Sequence, residues 1–277
     1  MTTYSHMPLP NLEKMVPHYE ITIPSTGKSV TFRPFLVKEE KILLIALESS
    51  DEKNMLDAIV QVISACAVTP LKIDTLANFD LEYIFLQLRA RSVNEIVELT
   101  YRCHNLIPLS PDDVERHAWN SREEKAQAIE SFKKGETVVG SCDVMVRVKI
   151  NVDDVKVQFN DEHKRQIFLT PTLGVNMRYP NYKMAKTLLG KERETVSDNI
   201  QSLAMCIESV FDEESVYSNF TPKEIQEWVE KLTQAQFVSL QVFFETMPKL
   251  AHDFEFHCPQ CDYKEQIHIE GLPSFFG

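Results

Sequence analysis

The sequence predicts an α+β protein, and three observations carry that prediction. Apolar and polar residues alternate strictly in two separate blocks. The first is Val97, Leu99, Tyr101 and Cys103; the second is Cys142, Val144, Val146, Val148, Ile150 and Val152. Period two marks a strand with one buried face. Helical periodicity occupies the flanking stretches, roughly 38–92 and 181–252. A last strand-like stretch, Phe254 to Cys258 and Asp262 to Glu270, surrounds a Cys-x-x-Cys.

In order along the chain, residues 1–17 read as an irregular arm. His18–Pro24 and Lys28–Pro34 read as two strands around Ser25-Thr26-Gly27, a hairpin turn signal. A helix follows from Lys38, with Ile42, Leu43, Leu44 and Ile45 expected to pack inward. Asp51 is placed to cap the next helix, whose stripe is Met55, Ile59, Val62, Ile63 and Cys66. Asp80 is expected to cap a third, ending near Arg89 and Arg91, where cations suit the helix C-terminus. The two alternating blocks then form a central antiparallel section, interrupted by a polar insertion at 104–141. Val155–Phe159 and Gln166–Leu169 read as further strands, and Met177–Pro180 closes the section.

The last third reads as mainly helical. Tyr182–Leu189 is stopped by Gly190. Val196–Phe211 carries Ile200, Leu203, Ile207 and Val210 at helical spacing. Thr221-Pro-Lys-Glu224 and Thr233-Gln-Ala-Gln236 are capping boxes that open two more helices. The expected organisation is therefore an arm (1–17), a hairpin with helices (18–94), a central β region (95–180 with 253–277) and a helical excursion (181–252).

Composition narrows the function. The chain has 277 residues, 43% apolar and 25% charged, ordinary values for a globular protein. Seven glycines leave little material for a phosphate-cradling loop. No apolar run approaches the roughly 20 residues needed to span a bilayer, and Met1–Lys14 lacks the apolar core of a signal peptide. The expectation is a protein that stays in the compartment where it is made. A net charge of −12, from 41 acids and 29 bases, argues against nucleic acid, whose binding rests on Lys and Arg neutralising phosphates.

The six cysteines are the informative residues. Without a secretory signal they read as thiols or metal ligands rather than disulfides. Cys258-Pro-Gln-Cys261 is half of a tetrahedral site and needs two more ligands. Residues of one parity share a face of a strand. Cys103, Cys142, Cys258 and Cys261 all end strands on the apolar face. This predicts a four-cysteine structural zinc site in which Cys103 and Cys142 are the sides of a knuckle whose tip is expanded by 104–141. His104 and His257 compete as ligands, but each neighbours a cysteine and so points to the opposite face. The bland alternative keeps Cys103 and Cys142 as buried thiols and Cys258-x-x-Cys261 as a lone turn. Cys66 and Cys206 read as core residues in the middle of helices.

Catalytic signatures are missing. The chain has no Gly-x-Ser-x-Gly, no phosphate-binding loop, no dinucleotide fingerprint and no His-Glu-x-x-His. A four-thiolate set leaves no open position for a reacting water. No enzymatic activity is expected. Trp119 is expected to tuck under the insertion. Phe275 and Phe276, at the end of the chain, either dock on a partner or close the protein's own core.

Several segments carry a family resemblance. Phe32-Arg-Pro-Phe-Leu-Val-Lys-Glu-Glu-Lys-Ile-Leu43 resembles the N-terminal signature of the baseplate hub assembly proteins of T-even-type contractile-tailed phages. So do Phe79-Asp-Leu-Glu-Tyr-Ile-Phe-Leu-Gln-Leu-Arg-Ala-Arg-Ser92, the strand ending at Cys103, Tyr179-Pro180, and the final Cys-x-x-Cys followed by Gly-Leu-x-x-Phe-Phe. In that family pattern the first cysteine pair is a close Cys-x-x-Cys; here Leu106 stands where its second cysteine would fall. The resemblance implies a subunit or chaperone-like assembly factor of the baseplate hub. Its partners would be other hub and tail proteins, met in the host bacterial cytoplasm or in the virion tail. A zinc-ribbon module that binds nucleic acid is the alternative that the cysteines alone allow.

Overall fold

Turn chemistry starts the fold. Gly27 sits at a φ of 68°, a left-handed conformation that favours glycine, and closes the hairpin of β1 (Tyr19–Thr22) and β2 (Ser29–Phe32). In this computed structural model, residues 12–49, 51–119, 121–188 and 195–275 are described. Three helices follow the hairpin: α1 (Val37–Ser49), α2 (Glu52–Cys66) and α3 (Asn78–Ser92). β3 (Ile96–Arg102) and β4 (Leu106–Pro108) lead to α4 (Pro111–Arg116) and α5 (Arg122–Lys133). Short strands come next: β5 (Val139–Ser141), β6 (Met145–Asn151), β7 (Lys156–Gln158), β8 (Gln166–Phe168) and β9 (Gly174–Met177). α6 (Tyr182–Leu188), α7 (Val196–Met205), β10 (Ile207–Phe211) and β11 (Val216–Tyr217) lead to α8 (Pro222–Val229) and α9 (Gln234–Thr246). β12 (Lys249–His257) and β13 (Lys264–Glu270) end the regular structure. The mixture of helices and small antiparallel sheets is the expected α+β class.

The chain divides into two compact units. One comprises residues 1–95 and 155–251, the other 96–154 and 252–277. Residues 155–180, which the alternation had grouped with the central strands, fall in the first. The boundary passes through β12: Lys249–Ala251 pair with β7, within the first unit.

In the first unit, β11-β10-β9-β8 form an antiparallel sheet. Its buried core includes Val175, Met177, Leu203, Ile207, Leu240 and Phe243. Thr221 and Thr233 cap α8 and α9 through the predicted boxes. Asp51 caps α2 by accepting from the Lys53 N–H at 2.8 Å.

Three local expectations need correction. Val196–Phe211 is not one helix: α7 ends at Met205 and β10 begins at Ile207. Ile207 and Val210 are three apart, a helical spacing that a regular strand would turn to opposite faces; β10 pairs with β9 through a register shift between Ile207 and Ser209, and both residues are buried. Asp80 lies three residues inside α3, whose N-cap is Ala77. Its buried carboxylate accepts from the Ala77 N–H at 3.1 Å and from the Ser25 N–H at 2.9 Å, tying the hairpin turn to α3. Burial pushes that carboxyl up, against the pull of these bonds. In α1, Leu44 and Ile45 are 54% and 56% exposed and do not pack inward. Successive helical residues step by about 100°, so four in a row cannot share one face.

The signature Phe32-Arg-Pro-Phe holds a buried ion pair that periodicity does not show. The Arg33 guanidinium donates to the Glu39 carboxylate at 2.9 Å and to the Ala65 carbonyl at 3.0 Å. The Leu36 N–H donates to the same carboxylate at 2.8 Å.

The second unit has two small cores. β3 and β6 pair antiparallel from Ile96↔Asn151 to Arg102↔Met145. The insertion folds as the β4–β5 ladder with α4 and α5, around Leu109, Val114, Ala128 and Val138. Trp119 lies under it as expected, its indole N–H donating to the Val114 carbonyl at 2.9 Å. Phe275 is fully buried, so it closes the chain's own core rather than facing a partner. Phe276 lies outside the described residues, as do Leu189, Gly190 and most of the arm.

Candidate metal centre

The second core of this unit surrounds the four cysteines that strand parity brought together. Alternation along β3 buries Val97 and Leu99 and leaves Cys103 on the same side, itself fully buried. Cys142 precedes β6, and Cys258 and Cys261 lie in the turn between β12 and β13. Tyr101, Val144, Val146, Phe254, Phe256 and Ile267 pack around them. The Tyr101 and Phe254 rings meet edge to face at 5.5 Å.

The four sulfurs all lie within 4.8 Å of one another. The Cys103 and Cys261 sulfurs are 3.7 Å apart, and those of Cys142 and Cys258 are 3.8 Å apart. This arrangement of soft donors can hold one metal ion with all four thiolates as ligands. His104 is exposed, and the exposed His257 ring approaches Asp262 at 3.3 Å, so neither competing histidine belongs to the group. Cys66, the last residue of α2, and Cys206, just past α7, are buried in the first unit. Burial pushes their thiols up to about 11 and about 12.

The two halves of the centre are built alike. In the C-terminal turn the Cys258 N–H donates to the Tyr263 carbonyl, and the Asp262 N–H returns to the Cys258 carbonyl, at 2.9 and 3.0 Å. In the other half the Cys103 N–H donates to the Val144 carbonyl, and the Asp143 N–H returns to the Cys103 carbonyl, again at 2.9 and 3.0 Å. Asp262 and Asp143, each directly after the second cysteine of its pair, are left-handed at φ 56° and 54°. Aspartate tolerates that conformation better than most side chains. The insertion 104–141 therefore replaces the two middle residues of a Cys-x-x-Cys turn without altering its base. Leu106 opens β4 opposite Ser141 and is 66% exposed, so Cys142 supplies the second thiol.

Burial and hydrogen bonds oppose each other in setting the acidity of the thiols. Burial drives Cys103 up to about 12, reinforced by the neighbouring thiols and opposed by the Asn105 N–H. Burial also raises Cys261. There the Tyr263 N–H, the Asn105 side-chain amide and the Cys258 and Cys103 thiols outweigh it and bring the thiol down to about 7. The Asn105 amide reaches the Cys261 sulfur at 3.6 Å, a contact that sequence patterning does not reveal. Nearby, the Ser141 hydroxyl donates to Asp143 at 2.9 Å, and His117 stands 4.0 Å from the same carboxylate. The serine faces the acid rather than the imidazole, which is not the order of a nucleophilic triad.

A family model described as T4 bacteriophage base plate protein matches residues 16–277. The chain belongs to that baseplate family. No curated protein and no solved structure matches it. The match covers both units of the baseplate protein, the four-cysteine cluster and the insertion included. No helix among its described residues is long and apolar enough to cross a membrane.

Proposed function

We propose that this baseplate protein is a non-enzymatic component of the baseplate hub, a subunit or an assembly factor, and that Cys103, Cys142, Cys258 and Cys261 hold one structural zinc ion in a ribbon of two knuckles. The observation that carries the proposal is the closed set of four thiols in a chain of this family. A tetrahedral zinc with sulfurs at about 2.3 Å sets sulfur–sulfur edges of about 3.8 Å. Edges of 3.7 and 3.8 Å fit that ion. When bound, zinc supplies folding free energy and leaves no ligand position open. The chain's own residues do the rest. Asn105 orients Cys261, the left-handed Asp143 and Asp262 close the two turns, and Tyr101, Phe254 and Phe256 exclude water.

The acidic balance of −12 favours protein partners over nucleic acid. Those partners are other baseplate and tail proteins, met during assembly in the host cytoplasm or retained in the virion. Affinity purification of the tagged chain from infected cells tests this reading. It should bring down baseplate proteins and carry one zinc per chain. Normal baseplates formed without the gene, or a chain isolated free of baseplate proteins, would refute the assembly role. A chain that carries no zinc would refute the metal.

A further inference from the structure

In the first unit, α1 buries Glu39 and Ala46 and half-buries Ile42 and Leu43. Its opposite side carries four exposed apolar residues. Val37 is 79% exposed, Leu44 54%, Ile45 56% and Leu47 60%. At 100° per residue, Val37 and Leu44 lie within about 20° of each other at the middle of the outer face, with Ile45 and Leu47 on its flanks. Three exposed charges share this face: Glu40 and Lys41 before Leu44 and Ile45, and Glu48 after them.

We propose that this face is a self-association surface, on which α1 of one copy of the chain packs antiparallel against α1 of a second copy. The charge order selects both occupant and direction. A two-fold axis between Leu44 and Ile45 sets Leu44 against the partner's Ile45 and Lys41 against the partner's Glu48, twice over. The same register sets Glu40 against the partner's Ser49, so no acid meets an acid. A parallel pair would instead place Lys41 beside Lys41 and Glu48 beside Glu48, which repel. The inference goes beyond the hub reading and does not depend on the metal, because every residue it uses lies in the first unit.

Sedimentation of the full chain at low salt, from about 1 to about 100 µM, tests it. The expected result is a monomer–dimer equilibrium. Leu44→Ser should abolish it. Lys41→Glu and Glu48→Lys should each weaken it about tenfold, because two attractions become two repulsions. An equimolar mixture of these two variants should form dimers again, since one copy then carries two acids and the other two bases. All three positions are exposed, and circular dichroism checks that each variant folds. A monomer at every concentration would overturn the proposal and leave the face to a different protein. A dimer indifferent to Leu44→Ser, or a mixture that fails to associate more tightly than either variant alone, would overturn it as well.

Discussion

Replacing Arg33 by Met should destabilise the first unit by about 3–5 kcal/mol, the cost of leaving a buried charge without its partner. The Arg33 and Glu39 side chains are 10% and 2% exposed, so water cannot take the place of the guanidinium. Without Arg33, the Glu39 carboxylate keeps the Leu36 N–H at 2.8 Å and the more distant Lys38 ammonium at 3.7 Å. Converting Glu39 to Leu in the same chain removes the stranded charge and should recover most of the loss. The unpaired Leu36 N–H would still cost about 1–3 kcal/mol.

Two units make a single global unfolding free energy ill-defined. Native-state hydrogen exchange at the slowest amides of β2 and α2 reads the first unit alone. The pH dependence adds a second criterion. Burial raises the Glu39 carboxyl, but the bonds from Arg33 and Leu36 outweigh it and hold the carboxyl below its ordinary range. Its contribution is therefore complete above that range and fades as pH falls through the lowered folded value. In Arg33→Met the stranded carboxylate is relieved by protonation, so the gap to the parent should narrow as pH falls from above the ordinary glutamate range through the parent's lowered value. A loss under about 1 kcal/mol, a gap that does not change with pH, or a double variant no better than the single would refute the buried-pair argument.

Three other expectations follow from the same geometry. Cys142→Ser should abolish stoichiometric zinc binding as fully as Cys258→Ser does, while His104→Ala and His257→Ala should leave it intact; metal content per chain after gel filtration decides. Asn105→Ala should weaken the metal about 10–100-fold in competition with a chromophoric chelator, because it removes the amide 3.6 Å from the Cys261 sulfur. Gly174→Ala should destabilise the first unit by about 1–3 kcal/mol in exchange measurements, since its added carbon would lie 2.3 Å from the Phe211 ring and 2.8 Å from the Ile167 carbonyl.

Much of the four-cysteine cluster was legible in the residues. Period two assigned Cys103 and Cys142 to the face that carries Val97, Leu99, Val144 and Val146, and β3 pairs with β6 accordingly. Asn105 was invisible because a loop residue's reach depends on a turn whose partner lies 156 positions away. The Arg33–Glu39 pair was hidden although only six positions separate its partners. A lone arginine between phenylalanines signals burial but not the acid that balances it. In Val196–Phe211 the periodicity misled, because Ile207 and Val210 keep a helical spacing that is accommodated in β10 only by its register shift beside β9.

The sequence by itself determined what local chemistry can decide. The turn at Gly27, the caps at Asp51, Thr221 and Thr233, and the facing of the four cysteines all follow from backbone preference and period. Tertiary structure alone decided what depends on pairing across the chain. It made β10 a strand by setting it beside β9, tied Asp80 to Ser25 as well as to the Ala77 N–H, and buried Phe275. It also left Leu44 and Ile45 in the open. Each of these outcomes is set by which distant surface arrives to cover a residue, and a local pattern does not contain that information.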